Sequence, residues 1–183
     1  MFTTPRLVIE PLAPAHASGL HAALDHPDVG LFIGGPDVTT PAALHDRILR
    51  LAAGPASPRP GERWWNFAVL LRADRTVIGR LEATTYGDWG EIAYVFGPRF
   101  WGQGLASEAT RWLLHHLADQ AIPELWAAVD PANEPSQRLL LRIGFARVIE
   151  PTRPLASFDA GDDAFVWHRQ PGSTIAKSIS SLP

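Results

Sequence analysis

Arg99-Phe100-Trp101-Gly102-Gln103-Gly104-Leu105-Ala106-Ser107-Glu108-Ala109 sets the architecture of this chain. The stretch follows an apolar run, Ile92-Ala93-Tyr94-Val95-Phe96, and opens onto a helical pattern. Strand, glycine-bearing turn and helix start, in that order, make an anion site, because the first N–H groups of a helix are unpaired and its dipole favours negative charge there. Gly102 and Gly104 lack the Cβ atoms that would hold a ligand off the backbone. No Gly-Lys-Ser/Thr follows, which argues against a P-loop for nucleoside triphosphates. The plain alternative at this point is a helix start that is merely tightly packed.

Upstream of the turn, residues 65–71, 77–86 and 91–96 read as three strands joined by hairpin connections at 72–75 and 87–90. Before them come a strand at 6–10, a short helix at 15–24 and a loop at 30–37. A second helix begins at Thr40-Pro41, with Leu44, Ile48 and Leu51 as its apolar stripe. The Gly/Pro/Ser segment 54–61 can only be surface loop. Downstream, Leu105, Ala109, Trp112, Leu113, His116 and Leu117 fall on one face of a helix. A strand follows at 125–129, then a helix capped by Asn133 and closed by Gly144, with Leu139, Leu140 and Ile143 inward. Residues 145–149 and 164–168 form a last strand pair. The sum is one α/β domain over 1–169, antiparallel in front and strand–helix–strand–helix behind, with a patternless tail at 170–183 that reads as disordered.

Composition narrows the classes. Of 183 residues 46% are hydrophobic and 19% charged, as in an ordinary soluble protein. The net charge of −3 carries no excess of positive charge for nucleic acid or an anionic membrane surface. Cysteine is absent, which excludes disulfides, a thiolate nucleophile and cysteine-bound zinc. No run approaches the ~18 apolar residues of a membrane span, and the N-terminus lacks a signal peptide's order. The expectation is a cytoplasmic protein without a metal, as monomer or homodimer.

Three blocks together resemble the GNAT superfamily of N-acetyltransferases, in its RimJ/RimL-like branch. They are Thr4-Pro5-Arg6-Leu7, then Arg99-x-x-Gly102-x-Gly104 running on to Ala109, then Asn133-x-x-Ser136 followed by Ile143-Gly144-Phe145. The resemblance covers about residues 3–169. It implies a mixed, mostly antiparallel central sheet flanked by helices, with acetyl-CoA in a V-shaped opening between two central strands. It further implies that the pyrophosphate sits on the amides of Gly102, Gln103, Gly104, Leu105 and Ala106, with Arg99 adding charge at the rim or, as its position often does in the family, backbone only. The pantetheine arm is then expected along a bulged strand end at Tyr94, Val95 and Phe96, with an oxyanion donor near Val95 or Phe96. Asn133 resembles the family asparagine at the pantetheine, and a plain N-cap role is compatible with that.

The implied reaction is direct acetyl transfer to a primary amine, either a protein N-terminal α-amine or a small molecule. A lysine ε-amine (pKa ~10.4) is protonated at pH 7, whereas an α-amine (~7.7–8.0) is partly free, so the first needs a base more. Glu91, at the start of the strand entering the acyl site, is the first candidate base and Glu82 on the neighbouring strand the second. The tyrosine that many relatives use to protonate the leaving thiolate is replaced by Leu140, with Ser136 the nearest hydroxyl. Asp25, Asp28, Asp37, Asp159, Asp162 and Asp163 form an expected acidic acceptor rim opposed by Arg153, with Trp64, Trp65 and Trp89 as candidate walls. His115 and His116 are expected on helix surface or in core. The rival class is a non-catalytic acyl-CoA-binding sensor or partner-binding module.

Overall fold

A computed structural model describes residues 1–32 and 40–169. Eight strands form one sheet in the order β1-β2-β3-β4-β5-β6-β8-β7. They are β1 Phe2–Thr3, β2 Leu7–Pro11, β3 Glu62–Leu71, β4 Val77–Tyr86, β5 Trp89–Phe96, β6 Glu124–Val129, β7 Ala146–Val148 and β8 Asp163–His168. Every neighbouring pair is antiparallel except β5 with β6, which run parallel. That one parallel pair is forced by the connection between them, a helix crossover.

Among the described residues four α-helices cover the two faces: α1 Ala17–Leu24, α2 Pro41–Ala53, α3 Leu105–Asp119 and α4 Glu134–Arg142. Strand alternation sends Leu7, Ile9, Phe67, Val69, Leu81, Ile92 and Phe96 to the face where α3 buries Leu105, Ala109, Leu113 and Leu117. Leu140 of α4 and Ile143 just after it complete that core. On the opposite face Val95 packs with Leu20 and Leu24 of α1 and Leu44 and Ile48 of α2. At about 25 cal/mol per Å² of apolar area, each fully buried Leu or Ile contributes roughly 1.5–3 kcal/mol, so the sheet is held from both sides. Among the described residues no helix is long and apolar enough to cross a membrane.

Several boundaries differ from expectation for readable reasons. The turn between β4 and β5 is only Gly87 and Asp88, because Trp89 and Gly90 pair with Tyr86 and Thr85 on one side and with Glu124 and Leu125 on the other. Gly87 takes φ +75°, as a tight two-residue connection requires. β3 starts at Glu62, since Arg63 and Trp64 stay in register with Thr85 and Thr84 although they are exposed. The first helix is preceded by a 3₁₀ turn, Pro14–His16. Of the loop expected at 30–37, Gly30 to Phe32 end a 3₁₀ stretch, Pro27–Phe32. Residues 33–37 of that loop, and the tail at 170–183, lie outside the described residues.

Candidate functional site

β5 and β6 pair only from Trp89↔Glu124 to Glu91↔Trp126 and then part. The rest of β5, through Tyr94 to Phe96, is left with one free edge in the middle of the sheet. Gly97 N donates to Ile78 O at 3.0 Å, which sets the phase of the antiparallel ladder with β4. Val95 and Ala93 therefore bond to β4, while Tyr94 and Phe96 turn their N–H and C=O groups to the gap. This moves the expected backbone donor off Val95. The bulge expected at this strand end is also absent: the β4–β5 register is unbroken from Gly79↔Phe96 to Tyr86↔Trp89. The register shift lies instead between Val69 and Leu70 against β4.

The gap leads to the glycine turn. Gly102 and Gly104 both take left-handed φ, +71° and +73°, and Gly104 is the N-cap of α3 without any side-chain cap. Two other helix starts, those of α2 and α4, are capped by side chains: Thr40 Oγ1 accepts from Ala43 N at 3.1 Å, and Asn133 Oδ1 from Ser136 N at 3.2 Å. Among the described residues, no acceptor meets the backbone N–H groups of Gly102 to Ala106. They are the donors an anion would use. Leu105 buries its side chain in the core, so it offers backbone alone. Arg99 is exposed, and its carbonyl accepts from Gln103 Nε2 at 2.8 Å. Trp101 Nε1 ties the turn to the strand by donating to Phe96 O at 2.6 Å.

Turn, strand edge and α4 enclose a groove of about 390 Å³, within the range of small-molecule sites. Tyr94, Val95, Phe96, Gly102, Gly104 and Asn133 all line it. Tyr94 Oη lies 2.7 Å from Ser136 Oγ across the groove. Burial pushes the phenol up to about 12, with the Ser136 contact opposing it. Leu140, in the position expected for a tyrosine, is fully buried and does not line the groove. Tyr94 as a hydroxyl reaching α4 from the strand was missed, although the alternation of β5 places it on the α4 face.

A second cleft, about 460 Å³, opens on the other face of the sheet. Glu82, Asn66 and Trp64 form its floor and wall, with Arg47 from α2 and Arg59 from the 54–61 loop. Glu82 pairs with Arg80 and lies 3.8 Å from Arg47 Nη2. Ala93, in register beside Glu82, is exposed in mid-sheet. Glu91 does not face either cleft. Its buried carboxylate accepts from Ala156 N at 2.7 Å, Ser157 N at 3.1 Å and Ser157 Oγ at 2.7 Å. It anchors the 150–162 loop, whose Ala156 reaches the cleft wall. These three donors hold the carboxylate against the loop, and it lines neither cleft.

The acidic rim is not assembled as expected. Asp28 lines the groove, but Asp163 pairs with Arg147 and Asp162 accepts from Asp159 N. Asp25 is exposed beside His21, and Asp37 lies outside the described residues. Arg153 lies over the Trp89 ring and binds Glu124 at 2.7 Å, which holds that carboxyl below its usual range. Trp65 donates to Thr85 Oγ1 and Trp89 is buried, so only Trp64 walls the cleft. His116 packs against Phe2, Trp65, Phe67 and Trp112, and burial lowers its pKa as it does that of half-buried His115.

The model of the acetyltransferase (GNAT) domain matches residues 6–146. A mycothiol acetyltransferase of Thermomonospora curvata is 37% identical over 94 residues, 49% of this chain and 31% of that protein. The N-acetyltransferase YnaD of Bacillus subtilis is 32% identical over 90 residues, 48% of this chain and 53% of that protein. The matched stretches thus span about a third and about half of those relatives. RimL, a ribosomal L7/L12 alpha-N-protein acetyltransferase solved with coenzyme A, superposes at TM-score 0.73 and 15% identity, over 91% of this chain and 96% of its own. At that identity the agreement is one of fold.

Proposed function

Because the chain belongs to the GNAT acetyltransferase family, we propose that it transfers an acetyl group from acetyl-CoA to a primary amine. The observation that carries the reading is the parting of β5 and β6 beside an α3 start whose donors are unspent. The groove fits the donor: a polar backbone cradle at one end, and an apolar channel past Phe96 and Tyr94 leading to the gap. Left-handed Gly102, with open space where a Cβ would stand, allows phosphate oxygens to approach the backbone. Acetyl-CoA supplies the activated thioester carbonyl.

The chain's own residues supply placement and charge. The Tyr94 and Phe96 N–H groups face the gap, where a fixed donor stabilises negative charge on a carbonyl oxygen. Bringing amine and thioester together across the gap contributes much of the acceleration. Ser136 is the hydroxyl beside the groove, and a thiol with pKa ~8.5 leaves as thiolate with modest help. Glu82 replaces Glu91 as the carboxylate facing the amine. It already shares guanidinium partners, so it offers an incoming ammonium less than a lone carboxylate would. That favours an acceptor partly neutral at pH 7, a protein N-terminal or small-molecule α-amine, and supports the RimJ/RimL-like reading.

The test is thiol release from acetyl-CoA against N-terminal peptides, lysine peptides, polyamines, amino acids and aminoglycosides. Turnover with α-amines and little with lysine peptides is the expected result. Preference for lysine peptides or polyamines would overturn the acceptor reading. Acetyl-CoA binding with no turnover on any amine would favour a sensor.

A further inference from the structure

The N-terminal arm closes on the glycine turn from behind. Arg6 Nη1 donates to Gln103 O at 2.8 Å, and Arg6 Nε to Glu108 Oε2 at 2.7 Å. The other Glu108 oxygen accepts from the Arg6 backbone N–H at 2.9 Å and from Thr4 Oγ1 at 2.6 Å. Burial alone would raise the Glu108 pKa, but these donors outweigh it and hold the carboxyl below its usual range. Arg6 Nη2 also stands 3.5 Å from where a Cβ on Gly104 would be.

Two consequences follow for the turn. A trans peptide is planar, so the Gln103 carbonyl and the Gly104 N–H point in opposite directions. Holding the carbonyl toward Arg6 therefore turns the Gly104 N–H away from it, to the groove that Gly104 lines. Glu108 occupies the first turn of α3, where an acid suits the helix dipole but repels an arriving anion. Arg6 cancels that repulsion on the side away from the groove.

We propose that Arg6 is a positioning residue for phosphate binding, aiming the Gly104 N–H through the Gln103 carbonyl and neutralising Glu108. The proposal rests on the groove being the acetyl-CoA site. It is tested by calorimetry with CoA on the wild type, Arg6→Lys, Arg6→Gln and Arg6→Gln/Glu108→Gln. Pantetheine, which lacks the phosphates, is followed in parallel by ligand NMR. The expected result is a loss of CoA affinity of about 10- to 30-fold in Arg6→Gln, the size of one to two uncompensated charge interactions at partial screening. Arg6→Lys should lose less, the double variant should regain part of the loss, and pantetheine should bind all four alike. CoA affinity in Arg6→Gln within twofold of wild type would overturn the proposal. So would a parallel loss of pantetheine, which would mean a collapsed groove, or a double variant no better than Arg6→Gln. A wild type that binds no CoA would sink the donor-site reading itself, and this proposal with it.

Discussion

The two clefts on opposite faces of the sheet are built from opposite materials. The groove under α3 and α4 is made of backbone: a free strand edge, two left-handed glycines and unspent N–H groups. The cleft on the other face is made of side chains from α2, β3, β4 and two loops, knit by the Arg80–Glu82–Arg47 cluster. A backbone site needs one short contiguous pattern and recognises a constant ligand. A side-chain site needs residues from five places and can change its acceptor without touching the fold. Substitutions on the two sides should therefore fail in different kinetic parameters.

The largest effect is expected at Glu82. Glu82→Gln keeps the shape but removes the carboxylate proposed as the base, and general-base loss is worth about 10²-fold or more. The fall should appear in kcat, with acetyl-CoA affinity unchanged by calorimetry. Unchanged kcat at neutral pH would mean the acceptor arrives neutral and the cleft supplies placement alone. Next comes Gly104→Val on the other side. Its φ of +73° is hostile to a β-branched residue, at about 1–3 kcal/mol of strain. About 10- to 100-fold weaker CoA binding should result, while acceptor discrimination at saturating donor stays as in the wild type. If Gly104→Val altered acceptor preference, the two clefts would not be separable.

Legibility in the sequence divides along the same line. The glycine turn, its strand and the Asn133 cap were readable because each is a local pattern with one backbone solution. The surroundings of Glu91 are not legible, because a strand-start carboxylate looks the same in sequence whether it faces substrate or loop. Only the tertiary placement of Ala156 and Ser157, more than sixty positions on, decides it. The acidic loop residues misled for the same reason, since Asp159, Asp162 and Asp163 bond within their own neighbourhood. Arg47 and Arg59 were passed over because a lone arginine on a helix or in a Pro-rich loop carries no local signal. Glu91→Gln turns this into a measurement. Weakening three hydrogen bonds to a charged group, each worth about 1.5–3 kcal/mol, should lower the melting temperature. The loosened cleft wall should raise the acceptor KM about tenfold, with kcat largely kept. A kcat loss matching that of Glu82→Gln would return Glu91 to the chemistry.

The Tyr94–Ser136 contact lies in the groove, and its proposed part is in the transfer step. The phenol proton is the more acidic of the two, so Tyr94 donating to Ser136 Oγ leaves the serine O–H free toward the groove. Tyr94→Phe deletes that one bond and keeps the ring. A neutral hydrogen bond is worth about 0.5–1.5 kcal/mol, so kcat should fall roughly 2- to 10-fold with CoA affinity held. Ser136→Ala should do the same, and the double variant should lose no more than Ser136→Ala. Additive losses would show that the two hydroxyls act separately.

The smallest effect separates the two faces by acidity. Burial lowers the pKa of His115 and His116, both on α3 behind the groove. Above the unfolded-state value of ~6.5 both states hold the rings neutral, and the aromatic packing around His116 is fully present. As pH falls through that value the unfolded chain takes up protons first, so stability drops with acid. On the cleft side the shifted groups include two carboxylates, Glu62 and Glu124, held below their usual range by Arg59 N and by Arg153 respectively, and Tyr86, which burial pushes up and which takes no part in acid. The carboxylates' share of stability is present above the ordinary carboxylate value, ~4.3, and is lost only as pH falls through their lower folded values. Between pH 7.5 and 5.5 the α3 side should therefore weaken while the cleft loops hold. Thermal melts should show the wild type losing a few degrees over that span and His116→Phe losing less, because the phenyl ring keeps the packing and takes no proton. An equal loss in both would move the acid sensitivity to His115 or off α3 altogether.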